Sequence, residues 1–173
     1  STPKPSSAAS DVYKRQPFEY EPQATEEQIN ERQKYLLDII GSKGRRRIDV
    51  SWSHYDTTIL EAVLARGDRK LSAVIYEAWK NGCKLDGWNE YFKPDIWNAA
   101  FEKFGIDKAF YANRKREYDE IAPWEHMDML FDRGFLVREN IKAHEEKTTA
   151  NCREKCAGCG INKCLGRACF KYE

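Results

Sequence analysis

The sequence predicts a mainly α-helical fold with one or two short strands, ending in a cysteine-rich knuckle. Three observations carry that reading. Apolar residues recur at helical spacing in a series of capped segments between Thr25 and Glu146. Only "RIDVSW" (Arg47–Trp52) alternates apolar and polar residues as a strand does. The segment Asn151–Glu173 holds Cys152, Cys156, Cys159, Cys164 and Cys169, five of the six cysteines.

Composition bounds the rest. A chain of 173 residues with 41% hydrophobic and 33% charged residues fits a soluble globular protein, either one domain with a real core or a small domain with appendages. Its net charge of +1, from 29 basic and 28 acidic side chains, gives no global field that would argue for nucleic acid. No apolar run reaches the length of a membrane span and no signal peptide opens the chain, so the expected setting is the cytoplasm. Thiols stay reduced there, which turns a cysteine cluster toward a metal or redox centre rather than a disulfide framework.

Residues 1–24, rich in Pro, Ser and Ala, read as a linker or the edge of something larger. Within them "SDVYKRQ" (Ser10–Gln16) resembles a translated sequencing-adapter remnant. A helical domain is expected over residues 25–147. T-E-E-Q from Thr25 to Gln28 is a capping box, Ile29, Leu36, Leu37 and Ile40 share one face, and Gly41 is the expected stop. "KGRRR" (Lys43–Arg47) reads as a solvated turn before the strand at 47–52.

From Thr57 the pattern is helical again, with Ile59, Leu60, Val63 and Leu64 inward. Gly67 is read as the left-handed C′ residue and Asp68 as the next N-cap. Leu71, Val74, Ile75, Ala78 and Trp79 then form an apolar stripe that Gly82 closes. Cys83 reads as a small buried hydrophobe. Pro94 opens a further helix with Ile96, Trp97, Ala100, Phe101 and Phe104 inward and Gly105 behind it. Asp107 caps another, and a last one is expected from about Asp132 to Glu146. Both Trp79 and Trp97 are predicted core residues.

Candidate chemistry lies in three places. His54, beside the strand end, is a candidate for an active site or simply a loop histidine. "PWEHMD" (Pro123–Asp128) sets Glu125, His126 and Asp128 close together beside an anchoring Trp124; they are ligands, proton-transfer groups or plain turn residues. In the tail, residues 148–173, Cys152, Cys156, Cys159 and Cys164 are enough to close one tetrahedral site, with Cys169 an alternate fourth ligand. Gly158 and Gly160 allow a tight knuckle, and Arg153, Lys155, Lys163 and Arg167 favour thiolates. Zinc and a [4Fe–4S] cluster both accept four thiolates, and the spacing leaves both open.

"LEAVLARGDRKL" (Leu60–Leu71), "GCKLDGW" (Gly82–Trp88), "GIDKAFYANRKREYDEIAPWEHMD" (Gly105–Asp128) and "CREKCAGCG" (Cys152–Gly160) occur here in one order. Together they resemble the C-terminal region of the radical S-adenosylmethionine (radical SAM) proteins that carry a cobalamin-binding-like domain ahead of their partial βα barrel. The resemblance runs from about Pro17 to about Ile161. It implies a helical C-terminal extension that supports the barrel and bears an auxiliary iron–sulfur cluster or a structural zinc. Its partners would be the upstream barrel and cobalamin-binding-like domain, and residues 1–24 a remnant of the barrel edge. SAM and the catalytic cluster would belong to the full-length enzyme.

Two departures stand out. A Pro-Lys-Pro and Thr-Pro-Phe of the family appear as Pro3-Lys4-Pro5 and a separated Pro17-Phe18, and the family's His-Asp after the strand tryptophan is replaced by Ser53-His54. The C-x3-C-x2-C of Cys152–Cys159 matches the spacing of a radical SAM catalytic cluster, yet only Gly160–Glu173 follow it. No SAM-binding strands fit in that length, so these residues alone are expected not to cleave SAM. The alternative reading is a free-standing helical binding module whose zinc knuckle touches RNA, with Phe170 and Tyr172 for stacking.

Overall fold

The computed structural model describes residues 16–44, 48–166 and 169, apart from the side chains of 42–44. They form two compact units, one of residues 22–114 and one of residues 16–21 with the chain from 115 onward. This grouping cuts the chain elsewhere than the three expected segments: the tail belongs with the last long helix.

The first unit opens with α1 (Glu26–Gly44). Its capping box forms as expected: Thr25 N–H donates to Gln28 Oε1 at 3.1 Å, and Gln28 N–H to Thr25 Oγ1 at 3.3 Å. At Gly41 the backbone leaves helical geometry, at φ 60° and ψ 179°, so the regular helix breaks there as expected and a short further turn follows. No residue from Glu26 to Gly41 is fully buried: Ile29, Leu37 and Ile40 of the expected inward face are partly covered, and Leu36 is exposed.

The strand does not form. Residues 48–54 have no regular structure, Ile48 and Trp52 are exposed, and there is no strand among the described residues. Alternation can only mark a segment that would suit a sheet. A strand also needs a neighbour to take up its N–H and C=O groups, and there is none among the described residues. Arg45–Arg47 of the basic loop lie outside the described residues.

Four further helices pack in pairs: α2 (Tyr55–Arg66) against α5 (Lys108–Ala112), and α3 (Leu71–Lys80) against α4 (Pro94–Lys103). α4 starts at Pro94 and Asp107 Oδ1 caps α5 through Ala109 N–H at 2.8 Å, as the sequence predicts. Ile59, Leu60, Ala62, Val63, Val74, Ala100 and Phe101 fill the core, and Cys83 is buried beside them, its thiol pushed up by desolvation and Asp86. Arg66 is also buried and donates to the Ala112 carbonyl at 3.3 Å, closing the end of α5. Gln23 N–H donates to that same carbonyl at 2.8 Å, which ties the approach to α1 into the unit.

Two sequence readings are corrected here. Gly67 is not left-handed: its φ of −76° and ψ of 168° are open to any residue. It is small because a Cβ there would lie 1.9 Å from Leu71 Cδ1 and 2.8 Å from the Val63 carbonyl oxygen. Asp68 does not cap α3 directly but turns the chain before it, accepting from Lys70 N–H at 2.8 Å and from the Tyr111 hydroxyl at 3.2 Å.

Trp97 is core at 7% exposure, but Trp79 is 54% exposed. α3 buries Leu71, Val74 and Ala78 and packs against α4. Ile75, Tyr76 and Trp79 fall on the other side, with the Tyr76 and Trp79 rings 5.7 Å apart. The apolar stripe is wider than α4 covers. Leu64 and Phe104 are exposed for the same reason, each on the flank of a narrow buried face.

The second unit is held chiefly by polar contacts. A 3-10 turn (Pro17–Tyr20) lies against α6 (Arg133–His144), capped by Asp132 Oδ1 through Gly134 N–H at 2.8 Å. Asn140, with no exposed surface, donates to the Pro17 carbonyl and to Glu21 Oε1, both at 2.9 Å, and accepts from the Tyr118 hydroxyl at 2.6 Å. Tyr118 packs edge-on against buried Tyr20 at 4.9 Å. Burial alone would raise the Glu21 carboxyl, but hydrogen bonds from Asn140 and His144 and the charges of His144 and Lys115 hold it below its ordinary value. The unit continues to α7 (Ile161–Leu165). Among the described residues no helix is long and apolar enough to cross a membrane.

Trp97→Ala should lower unfolding free energy by roughly 3–5 kcal/mol, whereas Trp79→Ala should stay within about 0.5 kcal/mol of wild type. Urea denaturation followed by circular dichroism checks both.

Because the Glu21 pKa is depressed in the folded state, its contribution is complete above the ordinary value of 4.5 and disappears as pH falls through the lower folded value. Melting temperature should therefore drop on acidification below that value. Asn140→Ala should flatten this part of the profile and destabilise the protein at neutral pH, at about 1–3 kcal/mol for each buried partner left unsatisfied.

Candidate metal centre at the cysteine tail

The tail is built on the start of α6. Before that helix, Pro123–Asp132 forms a loop anchored by Trp124, which is buried and donates from Nε1 to Glu19 Oε2 at 2.9 Å. Arg116, also buried, sets its guanidinium 5.1 Å from the Trp124 ring centroid. Arg133 closes the loop from α6, donating through Nη2 to the Tyr118 and Glu120 carbonyls at 2.7 and 2.6 Å and pairing with Glu125 at 3.4 Å. A firm base results.

The tail meets this base through its backbone. Asp132 N–H donates to the Cys159 carbonyl at 2.8 Å, and Arg138 Nη2 donates to the Gly158 carbonyl at 3.0 Å. The Cys164 thiol lies 3.5 Å from the Leu130 carbonyl oxygen. Gly160 sits so close that a Cβ would come within 3.3 Å of Asp132 N. Its φ of 97° favours glycine there, and the close approach adds to the cost of any side chain.

Within the turn, Gly158 N–H donates to Cys156 Sγ at 3.4 Å, and Gly158 and Gly160 are both left-handed. A backbone N–H aimed at a sulfur stabilises the thiolate form that binds metals. Cys152, Cys156 and Cys164 are exposed, Cys159 is half-buried and Cys169 is exposed. Among the described residues, however, no three His, Cys, Asp or Glu side chains already converge as a metal site. The donors are of the right kind and on one short segment; drawing four sulfurs to one point requires the exposed thiols to swing inward.

Comparison with known protein families, with curated proteins and with solved structures returned no match.

The other sequence candidates occupy plainer positions. His54, in the first unit, precedes α2 and is exposed; its carbonyl accepts from Thr58 N–H and Oγ1 at 3.2 and 3.1 Å while its side chain makes no capping bond. In the second unit, His126 Nδ1 lies 3.1 Å from the Pro123 carbonyl oxygen. Asp128 Oδ1 accepts from Leu130 N–H at 2.7 Å, which shapes the turn in which Leu130 holds φ 65°. Both are exposed and serve the loop's own geometry. Arg167, Phe170 and Tyr172 lie outside the described residues.

Sequence reading missed Asp132 and Arg138 as parts of this site. Asp132 stood only as the approximate start of the last helix, and Arg138 is one of many surface basic residues until the fold sets it across from Gly158.

Proposed function

We propose that this chain is the C-terminal accessory region of a radical SAM iron–sulfur enzyme, and that its cysteine tail holds one structural zinc or one auxiliary [4Fe–4S] cluster. The observation that carries the metal reading is the turn at Cys156–Gly160, with its N–H bond to sulfur and two left-handed glycines. The family reading rests on the four ordered motifs, which extend from α2 to the tail. Cys152, Cys156, Cys159 and Cys164 are the ligands, with Cys169 able to stand in for Cys164. The metal would supply folding free energy to the tail, since thiolate ligation couples binding to folding. The helices supply the support: α6 carries the knuckle, and the first unit would serve the upstream barrel and cobalamin-binding-like domain. His54, His126 and Asp128 remain the catalytic candidates should that barrel bring substrate to them.

Protein purified without oxygen should carry close to one zinc, or the iron and sulfide of one cluster, per chain, and visible charge-transfer absorbance distinguishes the two. Cys156→Ser or Cys159→Ser should abolish the metal, while Cys164→Ser should do so fully only when combined with Cys169→Ser. After anaerobic reconstitution the chain should form no 5′-deoxyadenosine from SAM and dithionite. Freely titrating thiols in metal-free protein would sink the metal reading, and 5′-deoxyadenosine would sink the accessory one.

A further inference from the structure

The loop of the second unit that ends at Asp132 holds apolar side chains in water. Ile121 is 80% exposed, and Met127, Met129 and Leu130 are exposed further along the same loop. Single exposed apolar residues are ordinary, but four on one loop mark a surface that meets something. Arg133 gathers the loop at its base: it donates to the Tyr118 and Glu120 carbonyls and pairs with Glu125. Ile121 directly follows one of those carbonyls, and Leu130 stands three residues before Arg133. Leu130 also holds φ 65°, a left-handed conformation that a leucine rarely adopts. Asp128 Oδ1 fixes it there by accepting its N–H at 2.7 Å. Strain that keeps a large apolar side chain in solvent gives the fold nothing, and points to a use outside it.

Charge narrows the choice of occupant. Six carboxylates and no lysine or arginine lie between Glu117 and Asp132. Glu120 and Glu125 are taken up by Arg116 and Arg133, and Asp132 caps α6. Glu117, Asp119 and Asp128 are exposed, and none of the three is ion-paired among the described residues. An anionic bilayer or a nucleic acid would be repelled by such a rim. A protein segment with apolar side chains flanked by Lys or Arg satisfies both the rim and the apolar set. Methionine, unbranched and polarisable, adapts its shape to such a segment.

We propose that the loop from Glu117 to Asp132 is a docking surface for a basic amphipathic segment of another protein. Leu130, Met127 and Met129 supply its apolar contact, and Glu117, Asp119 and Asp128 its charged rim. This goes beyond the accessory reading above and needs no metal in the tail.

A fluorescein-labelled peptide of Leu and Lys at amphipathic-helix spacing is the probe, with a Leu/Glu peptide of the same pattern as its counterpart. Titration with the full chain is followed by fluorescence anisotropy. The Leu/Lys peptide should bind roughly tenfold more tightly than the Leu/Glu peptide, and its affinity should fall as salt is added. Leu130→Gly suits the left-handed backbone and removes the side chain. Its melting temperature should hold or rise while peptide affinity falls roughly tenfold. Glu117→Lys combined with Asp119→Lys should weaken binding by a similar factor and remove most of the salt dependence. Trp79→Ser alters an exposed apolar residue of the first unit and should leave binding unchanged. Equal binding of the two peptides, or wild-type affinity in Leu130→Gly or in the double charge reversal, would overturn the proposal. So would an equal loss in Trp79→Ser, which places the peptide elsewhere. Retention on phosphatidylserine vesicles without binding of the Leu/Lys peptide would also overturn it, in favour of a membrane. These outcomes are read alike in metal-free and metal-loaded protein, so the metal reading stands or falls separately.

Discussion

The second unit depends on a single buried amide. Asn140 has no exposed surface, and all of its recorded hydrogen bonds go to groups from other parts of that unit: the Pro17 carbonyl, Glu21 and the Tyr118 hydroxyl. A buried side-chain amide left unpaired is costly, so these bonds form together or the arrangement fails. They fix the 3-10 turn on α6, and α6 in turn presents Asp132 and Arg138 to the cysteine turn. The apolar contribution is thin: Leu136 is the buried apolar residue that α6 offers. Specific polar geometry, which tolerates little slippage, positions the tail.

The first unit solves the opposite problem. It has apolar residues in excess of the surface its helices can cover. α2 with α5 and α3 with α4 each bury one narrow face, and Ile75, Tyr76, Trp79, Leu64 and Phe104 are left at the margins. With Gln23, Arg66 is an exception to its apolar interior. Buried at the join of α2 and α5, it satisfies the carbonyl at the end of a five-residue helix too short to hold itself together.

Local rules were legible in the sequence and relations between segments were not. Thr25–Gln28, Pro94 and Asp107 all act where capping chemistry places them, because a cap needs only residues three or four apart. The strand at 47–52 failed because alternation says nothing of a partner. Trp79 was misplaced because periodicity gives a stripe but not its covered width. Asn140, Glu19 and Arg116 are polar residues in buried places, and residue type alone argues against each of them. The cysteines were found by spacing; the seat they rest on was not, since Arg138 acquires its role only when α6 and the tail are brought side by side.

Gly67 has a consequence for how this chain tolerates change. Its neighbours leave no room for a first side-chain carbon, while its backbone angles suit any residue. Glycines kept for a left-handed turn usually accept asparagine or aspartate, which adopt that conformation at modest cost. At Gly67 those substitutions have no such advantage. Alanine, asparagine and serine meet the same buried leucine and the same carbonyl oxygen. Relatives should accordingly vary at Gly105 toward asparagine, with open space around it, while the junction between α2 and α3 stays glycine or shifts only with a smaller residue at Leu71.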